Sequence, residues 1–325
     1  MNAVSYTHKP VMLDEVLEAL APRDGGVYVD GTFGGGGYSR AVLESADCSV
    51  WGIDRDPDAV ARGCEMAKEF PGRLNVIGGR YSDMARLLND AGLDAVDGVA
   101  LDIGVSSMQI DDPERGFSFR EDGPLDMRME KGGLSAADVV NTLPEEELAD
   151  LIYRYGEERA SRRIAKAIVK ARRVTPITRT RQLTEIIHGV MPRSRDGIDP
   201  ATRTFQALRI FVNAELEELD NGLEAAETLL RKGGRLAVVS FHSLEDRIVK
   251  SFLRKRSGGD PQGSRHLPVP SEGGREPTFR LLSRRAVKPG AAEVDSNPRA
   301  RSARLRAGER TAAAAWGLLA EGVAR

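Results

Sequence analysis

Cysteine is scarce in this chain. The two present, Cys48 and Cys64, form no C-x-x-C pair and read as buried free thiols. The four histidines, His8, His188, His242 and His266, lie far apart, and no Cys/His spacing fits a structural metal, so no metal is expected. Charge of one sign is also missing. The formal net charge is −2, which excludes a uniformly basic coat and leaves only local patches for a polyanion. No apolar run is long enough to cross a bilayer, so no membrane partner is expected. Residues 1–10 are polar and lack the apolar core of a signal peptide, which makes a reducing cytoplasm the expected location. Aromatics at 5% and charged residues at 30% suit a soluble globular protein. A length of 325 residues allows one large domain or two ordinary ones.

What the chain does have is a rhythm. Short apolar runs alternate with helical patterns: Val27 to Val29, Ser49 to Ile53, Leu74 to Ile77 and Val96 to Ile103 read as strands. Helices are expected over His8 to Ala21, from Ser39, over Asp58 to Phe70 and over Ser82 to Ala91. Strands alternating with helices imply parallel βαβ units and an open, doubly wound α/β sheet. The rhythm breaks at Gly104 to Gly133, which reads as a long functional loop. Helices then follow at Ala136 to Leu143, Pro144 to Tyr155, Glu157 to Arg173 and Thr180 to Val190. Thr202 to Leu230 reads as one long helix, with Phe205, Leu208, Val212, Leu216, Leu219 and Leu223 on one stripe, closed by Gly233-Gly234. The sheet resumes at Arg235 to Phe241, and Leu244 to Arg256 is helical. Ser257 to Gly274 reads as mobile, and Thr278 to Ser283 with Ala303 to Arg306 as a final strand pair. The expected division is a discontinuous sheet domain, 1–107 and 202–325, with an inserted loop and helical domain, 108–201.

In such a sheet, ligands sit off the carboxyl ends of the strands near the topological switch point. The first strand ends at Asp30 and breaks into Gly34, Gly35, Gly36 and Gly37. Asp30, Gly34 and Gly36 stand in the order D-x-x-x-G-x-G, the usual opening of an S-adenosylmethionine site. The dehydrogenase fingerprint G-x-G-x-x-G fits badly, because its last position falls on Ser39. Asp54, ending the second strand, is placed to accept the hydroxyls of a ribose, while Asp56 or Asp58 suits the capping of the next helix. Tyr81 is placed either to stack on or flank an adenine or to serve as a plain half-buried tyrosine. Asp102 ends an apolar strand, where a carboxylate is costly unless it has a partner or a task. Ser106, Ser107 and Gln109 follow as hydrogen-bonding groups for an amine or amide, with a helix-capping turn at Ser106 and Ser107 as the other reading. Phe117 and Phe119 lie among arginines, which suits either base stacking or anchoring of the loop to the core. Arg154 to Arg173 is rich in lysine and arginine, with Arg179, Arg181, Arg193 and Arg195 beyond it. Arg299, Arg301, Arg304 and Arg306 form a second cluster, and both suit a polyanion. His242 reads as a structural histidine on the ligand edge of the sheet.

Several blocks in order carry a resemblance: His8 to Glu15, Asp30 to Gly34, Ile53 to Pro57, Leu101 to Ser107, Glu114 to Phe119, Gly123 to Met129, Ala201 to Ala207, Ser240 to Arg247 and Asn297 to Ser302. Over nearly its whole length the chain resembles the bacterial ribosomal RNA small-subunit methyltransferase H family, also called MraW. The resemblance implies a class I S-adenosylmethionine-dependent methyltransferase fold. It implies methyl transfer to the exocyclic N4 amine of a cytosine in the decoding region of 16S rRNA. The implied partner is that RNA or the small ribosomal subunit, with monomer and homodimer both open. The implied cofactor contacts are Gly36, Gly37, Tyr38, Asp54, Tyr81, Asp102 and Gln109. Tyr38 stands where many members have histidine, and Tyr81 where many have phenylalanine.

The residues agree in part with that chemistry. Cytosine C5 methylation needs a cysteine nucleophile in a Pro-Cys setting, and neither Cys48 nor Cys64 has one. An amine target needs no covalent catalyst. Asp102, or a backbone carbonyl near Ser106, is the candidate acceptor for the amine proton, with Ser107 orienting the base. Two rival readings are a nicotinamide-dependent dehydrogenase and a non-catalytic RNA-binding or assembly protein.

Overall fold

The computed structural model describes residues 10–192, 197, 199–259 and 275–317. They fall into two compact units: the described residues up to Gly104 together with those from Leu216 onward, and Val105–Glu215.

The first unit opens with α1 (Leu13–Leu20), β1 (Val27–Asp30), α2 (Gly37–Ser45), β2 (Ser49–Asp54), α3 (Pro57–Ala67), β3 (Leu74–Gly78), α4 (Met84–Asp90) and β4 (Val96–Asp102). All four expected strands are present, and each ends within one residue of its expected end. Helix α3 starts where Asp56 accepts a hydrogen bond from the Asp58 N–H, with Pro57 in the first turn. The capping task therefore belongs to Asp56 and not to Asp54. On α3, Cys64 is exposed, so only Cys48 of the two thiols is buried.

The second unit holds α5 (Ser107–Asp111), α6 (Ala136–Thr142), α7 (Glu145–Gly156), α8 (Ser161–Arg172), α9 (Thr180–Val190) and α10 (Ala201–Val212). Its core includes Leu148, Ile152, Ile164, Ile168, Leu183, Ile187, Phe205 and Leu208. The stretch expected as a long loop is partly core. Leu125, Met127 and Met129 point inward with at most 5% exposure. Between them, the Asp126 and Arg128 side chains pair with one another at 2.6 Å. Asn213 stitches this stretch down, donating to the Met127 carbonyl and accepting from the Met129 N–H.

The helix expected over Thr202 to Leu230 is two helices. Helix α10 stops at Val212, Ala214 takes a left-handed φ of 49°, and α11 (Glu215–Leu229) begins. Asn213 explains the break. Its side-chain amide is drawn to backbone groups far away in sequence, and it turns the chain at the end of α10. The single stripe thus serves two cores: Phe205 and Leu208 pack in the helical unit, Leu219 and Leu223 in the sheet unit.

The first unit then resumes with β5 (Leu230–Ser240), α12 (Ser243–Arg256), β6 (Phe279–Leu281), α13 (Ala291–Ser296) and β7 (Arg304–Arg310). Gly233-Gly234, expected to close a helix, lie within β5. There Leu230 pairs with Val96 and Arg235 with Gly98, so the strand bulges where Gly233 takes a φ of 80°. Of the stretch expected to be mobile, residues 260–274 lie outside the described residues, as do His8, Arg193, Arg195 and His266.

The sheet order is β3-β2-β1-β4-β5-β7-β6. Strands β1 to β5 run parallel, and β7 lies antiparallel between β5 and β6. Side chains alternate between the two faces of a strand. Tyr28, Ala100, Ala237 and Val239 therefore pack with α1 and α2, while Val29, Val99, Leu101, Leu236 and Val238 pack with α4, α11 and α12. The switch point falls between β1 and β4, whose last residues are Asp30 and Asp102. No described helix is long and apolar enough to cross a membrane.

Candidate active site

The turn after β1 is held from three sides. Asp30, 3% exposed, accepts from the Ser39 N–H at 3.2 Å and the Ser39 hydroxyl at 2.7 Å through Oδ2, and from the Thr32 N–H through Oδ1. The Gly31 N–H reaches across to the Ala100 carbonyl of β4, and the Phe33 N–H to the Ile53 carbonyl of β2. Gly34 and Gly36 take φ values of 51° and 74°, the left-handed region that glycine enters without cost. A side chain at Gly36 would also meet the Phe33 ring at 2.6 Å. Gly35 is exposed at the tip of the turn.

Asp54 meets this turn directly. Its Oδ2 accepts from the Gly34 N–H at 2.7 Å and its Oδ1 from the Asp56 N–H at 2.9 Å. Burial raises its pKa, and these two N–H groups pull it back down. A carboxylate oxygen has two lone pairs, so both oxygens can still accept from a ligand hydroxyl. Tyr81 opens a short 3-10 turn that α11 positions through two residues one helical turn apart. Glu218 accepts from the Ser82 N–H and hydroxyl, both at 3.0 Å, and the Tyr81 ring lies against Gly222 where no Cβ stands. Tyr38 is 5% exposed, and its hydroxyl donates to the Val11 carbonyl. Burial holds its pKa well above the usual value.

Asp102 is the unusual member. Its backbone N–H donates to the Thr32 hydroxyl at 2.6 Å. Its Oδ1 is sealed from solvent and has no hydrogen-bond partner among the described residues. Burial, then the charges of Asp30 and Glu245, push its pKa up to about 8, and burial raises Asp30 to about 6. Glu245 on α12 is fully buried and accepts through Oε2 from the Phe241 and His242 N–H groups. His242 caps α12, its Nδ1 accepting from the Glu245 N–H. Thr32, Ser39 and Glu245 were not singled out from the sequence. The spacing Asp30-x-Thr32 was visible in it, but the hydroxyl's partner 70 residues away was not.

Ser106 and Gln109 lie in the helical unit, where each caps the other. The Gln109 N–H donates to the Ser106 hydroxyl, and the Ser106 N–H to the Gln109 side-chain oxygen. This is the capping reading of the segment. Ser107 is 9% exposed at the start of α5. Phe117 is buried in the helical core, and Phe119 meets Phe205 edge-on at 4.8 Å, so both anchor the loop. Of the basic residues, Arg172 donates to the Val140 carbonyl, Arg179 pairs with Asp122 and Arg306 pairs with Asp246. Arg162, Lys166, Lys170 and Arg173 are exposed along α8 and its C-cap, with no ion pair among the described residues.

The profile of the MraW methylase family matches residues 5–311. The chain belongs to the MraW methylase family. Three curated relatives bear the name "Ribosomal RNA small subunit methyltransferase H". That of Paramagnetospirillum magneticum is 64% identical over 309 residues, covering 95% of this chain and 97% of that one. That of Rhodospirillum rubrum is 61% identical over 319 residues, covering 97% and 98%. That of Rhodospirillum centenum is 64% identical over 308 residues, covering 95% and 93%. The MraW methylases are S-adenosylmethionine-dependent methyltransferases, which bears out the cofactor expected above. The seven-stranded sheet with one antiparallel strand is the class I arrangement that was expected.

The residues fit the cofactor. The carboxyl ends of β1, β2 and β4 combine a glycine turn exposed at Gly35, a carboxylate with spare lone pairs at Asp54, and an acid without a counter-ion at Asp102. Asp54 would hold the ribose, Tyr81 would flank the adenine, and Asp102 would face the positive end.

Proposed function

We propose that this chain transfers a methyl group from S-adenosylmethionine to small-subunit ribosomal RNA, at the exocyclic N4 amine of a cytosine in the decoding region of 16S rRNA. The names of the relatives support the RNA class. The absence of a cysteine in a Pro-Cys setting favours an amine over ring carbon C5. The single observation that carries the chemical reading is Asp102, a half-buried acid with one buried, orphaned oxygen at the switch point of the sheet.

When bound, the cofactor supplies an electrophilic methyl group on a positively charged sulfur. The chain's residues do the rest. The amine's lone pair is delocalised into the base, and an acceptor on its N–H restores its nucleophilicity. Asp102 is that acceptor, through its carboxylate, in the manner of general-base assistance. Gly34, Gly35, Gly36 and Gly37 let the backbone approach the cofactor, Asp54 fixes its sugar, and Tyr38, Tyr81 and Gln109 complete its surroundings. Ser106 and Ser107 orient the base. The target base leaves its stack to reach the crevice, and the helical insertion grips the surrounding RNA through the exposed cations of α8.

The test is mass mapping of methylated nucleotides in ribosomal RNA from cells with and without the protein, followed by transfer assays on free RNA and on the small subunit. Loss of one N4-methylcytosine on deletion is the expected result. An unchanged modification map would sink the proposal.

A further inference from the structure

The end of β4 gathers more negative charge than the protein neutralises. Asp102 feels Asp30 from β1 and Glu245 from α12, and Tyr38 on α2 feels both Asp102 and Asp30. The Glu245 carboxylate also lies 4.0 Å from the position where a side chain on Gly104 would begin. Asp30 is satisfied by Ser39 and Thr32, and Glu245 receives two backbone N–H groups. His242, beside Glu245, places Nε2 3.0 Å from its Oε1. Asp102 has no such help at Oδ1, and no lysine or arginine pairs with Asp30 or Asp102 among the described residues. A buried carboxylate without a counter-ion either keeps its proton or takes a cation from outside.

Resting on the cofactor reading above, we propose that Asp102 serves in turn as counter-ion of the cationic cofactor and as acceptor of the amine proton, so that the crevice is selective for charge and releases the neutral product. Without a counter-ion, Asp102 is biased toward its protonated form in the free protein, its pKa raised by burial and by the charges of Asp30 and Glu245. A positive ligand beside it drives that proton into solvent and leaves a carboxylate able to accept. In the transfer, the carbon–nitrogen bond forms from the amine lone pair, and the carbon–sulfur bond breaks with its electrons kept by sulfur. The proton shed by the amine then moves to Asp102. The carboxyl group is neutral again, opposite a neutral thioether, and the electrostatic hold on the product is gone.

The experiment is titration calorimetry of the full chain with S-adenosylmethionine and with S-adenosylhomocysteine, each in two buffers of different ionisation enthalpy, from pH 6 to pH 8. The positive sulfur lowers the amino pKa of the first ligand, so each free ligand is titrated alone and its own proton count is subtracted. The expected result is release of about one proton with the first ligand at pH 7 and none with the second. Affinity for the first climbs by up to roughly ten-fold per pH unit while affinity for the second stays level. Asp102→Asn removes both the proton release and the slope. Equal proton counts for the two ligands, or release that persists in Asp102→Asn, overturn the charge proposal alone. Binding of neither ligand overturns the cofactor reading with it. Should Asp102→Asn fail to fold, the difference between the two ligands on the unaltered protein still decides.

Discussion

Glu227 and Asp102 are acids of the sheet unit, the first fully buried and the second with one buried oxygen, and only Glu227 is provided for. Arg256 donates to both its oxygens, at 2.9 and 3.1 Å, and Thr278 donates to one of them. Arg310 holds its backbone carbonyl at 3.0 Å. Rings close over the cations: Trp316 and Phe252 over Arg256, Phe279 over Arg310. A charge so enclosed has no capacity left for a ligand. Asp102 has the opposite setting, with like charges for neighbours and an oxygen that nothing meets. Burial alone therefore does not mark a functional acid in this molecule.

The sharpest test of that contrast is activity. Asp102→Ala should lower methyl transfer by roughly 10²- to 10⁴-fold at saturating cofactor, the span of general-base assistance. Incorporation of labelled methyl into small-subunit RNA measures it, and near-normal turnover would remove Asp102 from the chemistry. Glu227→Gln should do the reverse. It leaves Arg256 buried without its anion and should cost about 3–5 kcal/mol of stability, the range for breaking a buried pair from one side. Urea unfolding would show the loss, while cofactor affinity of the folded fraction stays as before.

The third test uses pH. An acid whose folded pKa is raised binds its proton more tightly in the folded state. Below the unfolded value of 3.8 both states hold the proton; above about 8 both have lost it and the penalty of the buried charge is complete. Stability of the unliganded protein should thus fall between about pH 5 and pH 8, by something on the order of a few kcal/mol in total. Asp122, Asp126 and Asp138 have lowered values and pull the other way, but their change is finished below this window. Denaturation midpoints across that range should slope downward, and Asp102→Asn should leave only the shallower part due to the other raised acids, Asp30, Asp54 and Asp220. A flat profile in the unaltered protein would mean that Asp102 has a partner after all.

Smaller effects sharpen the contrast further. Asp54→Ala removes an acid that is paired to backbone yet keeps lone pairs free. Cofactor Kd should rise about ten-fold, as for a lost hydrogen bond to a charged group, with RNA binding intact. Exchanging Lys166 and Lys170 together for Gln should weaken RNA binding only modestly and reduce its salt dependence by about one unit of slope for each phosphate no longer neutralised. Cofactor affinity should not change.

The parts of this molecule that were legible in advance are those governed by local pattern. Strands β1 to β4 announce themselves as short apolar runs ending in acid or glycine, and Asp56-Pro57 is a helix start that needs no distant partner. A helix-capping turn at Ser106 and Ser107 was one of two readings of this segment, and the part Gln109 plays in it was not foreseen. What stayed hidden depends on residues far apart in sequence. Asn213 looks like any helix residue until the backbone of Met127 and Met129 is brought to it. The stripe from Phe205 to Leu223 keeps helical period straight through that break, so periodicity could not reveal it. Phe117 and Phe119 among arginines were ambiguous because stacking and anchoring use the same residue types. The orphaned oxygen of Asp102 is a property of everything around it, and no motif records it.

Pro10 has a bearing on how this protein can be altered. Its ring stands where a side chain at position 37 would have to go, 2.2 Å from the first added carbon. The stretch leading into α1 and the tip of α2 are thus a lock and its key cut from opposite ends of the same short segment. Anyone enlarging position 37 to reshape the cofactor's berth must first trim position 10, and a library that varies position 37 alone will return mostly misfits.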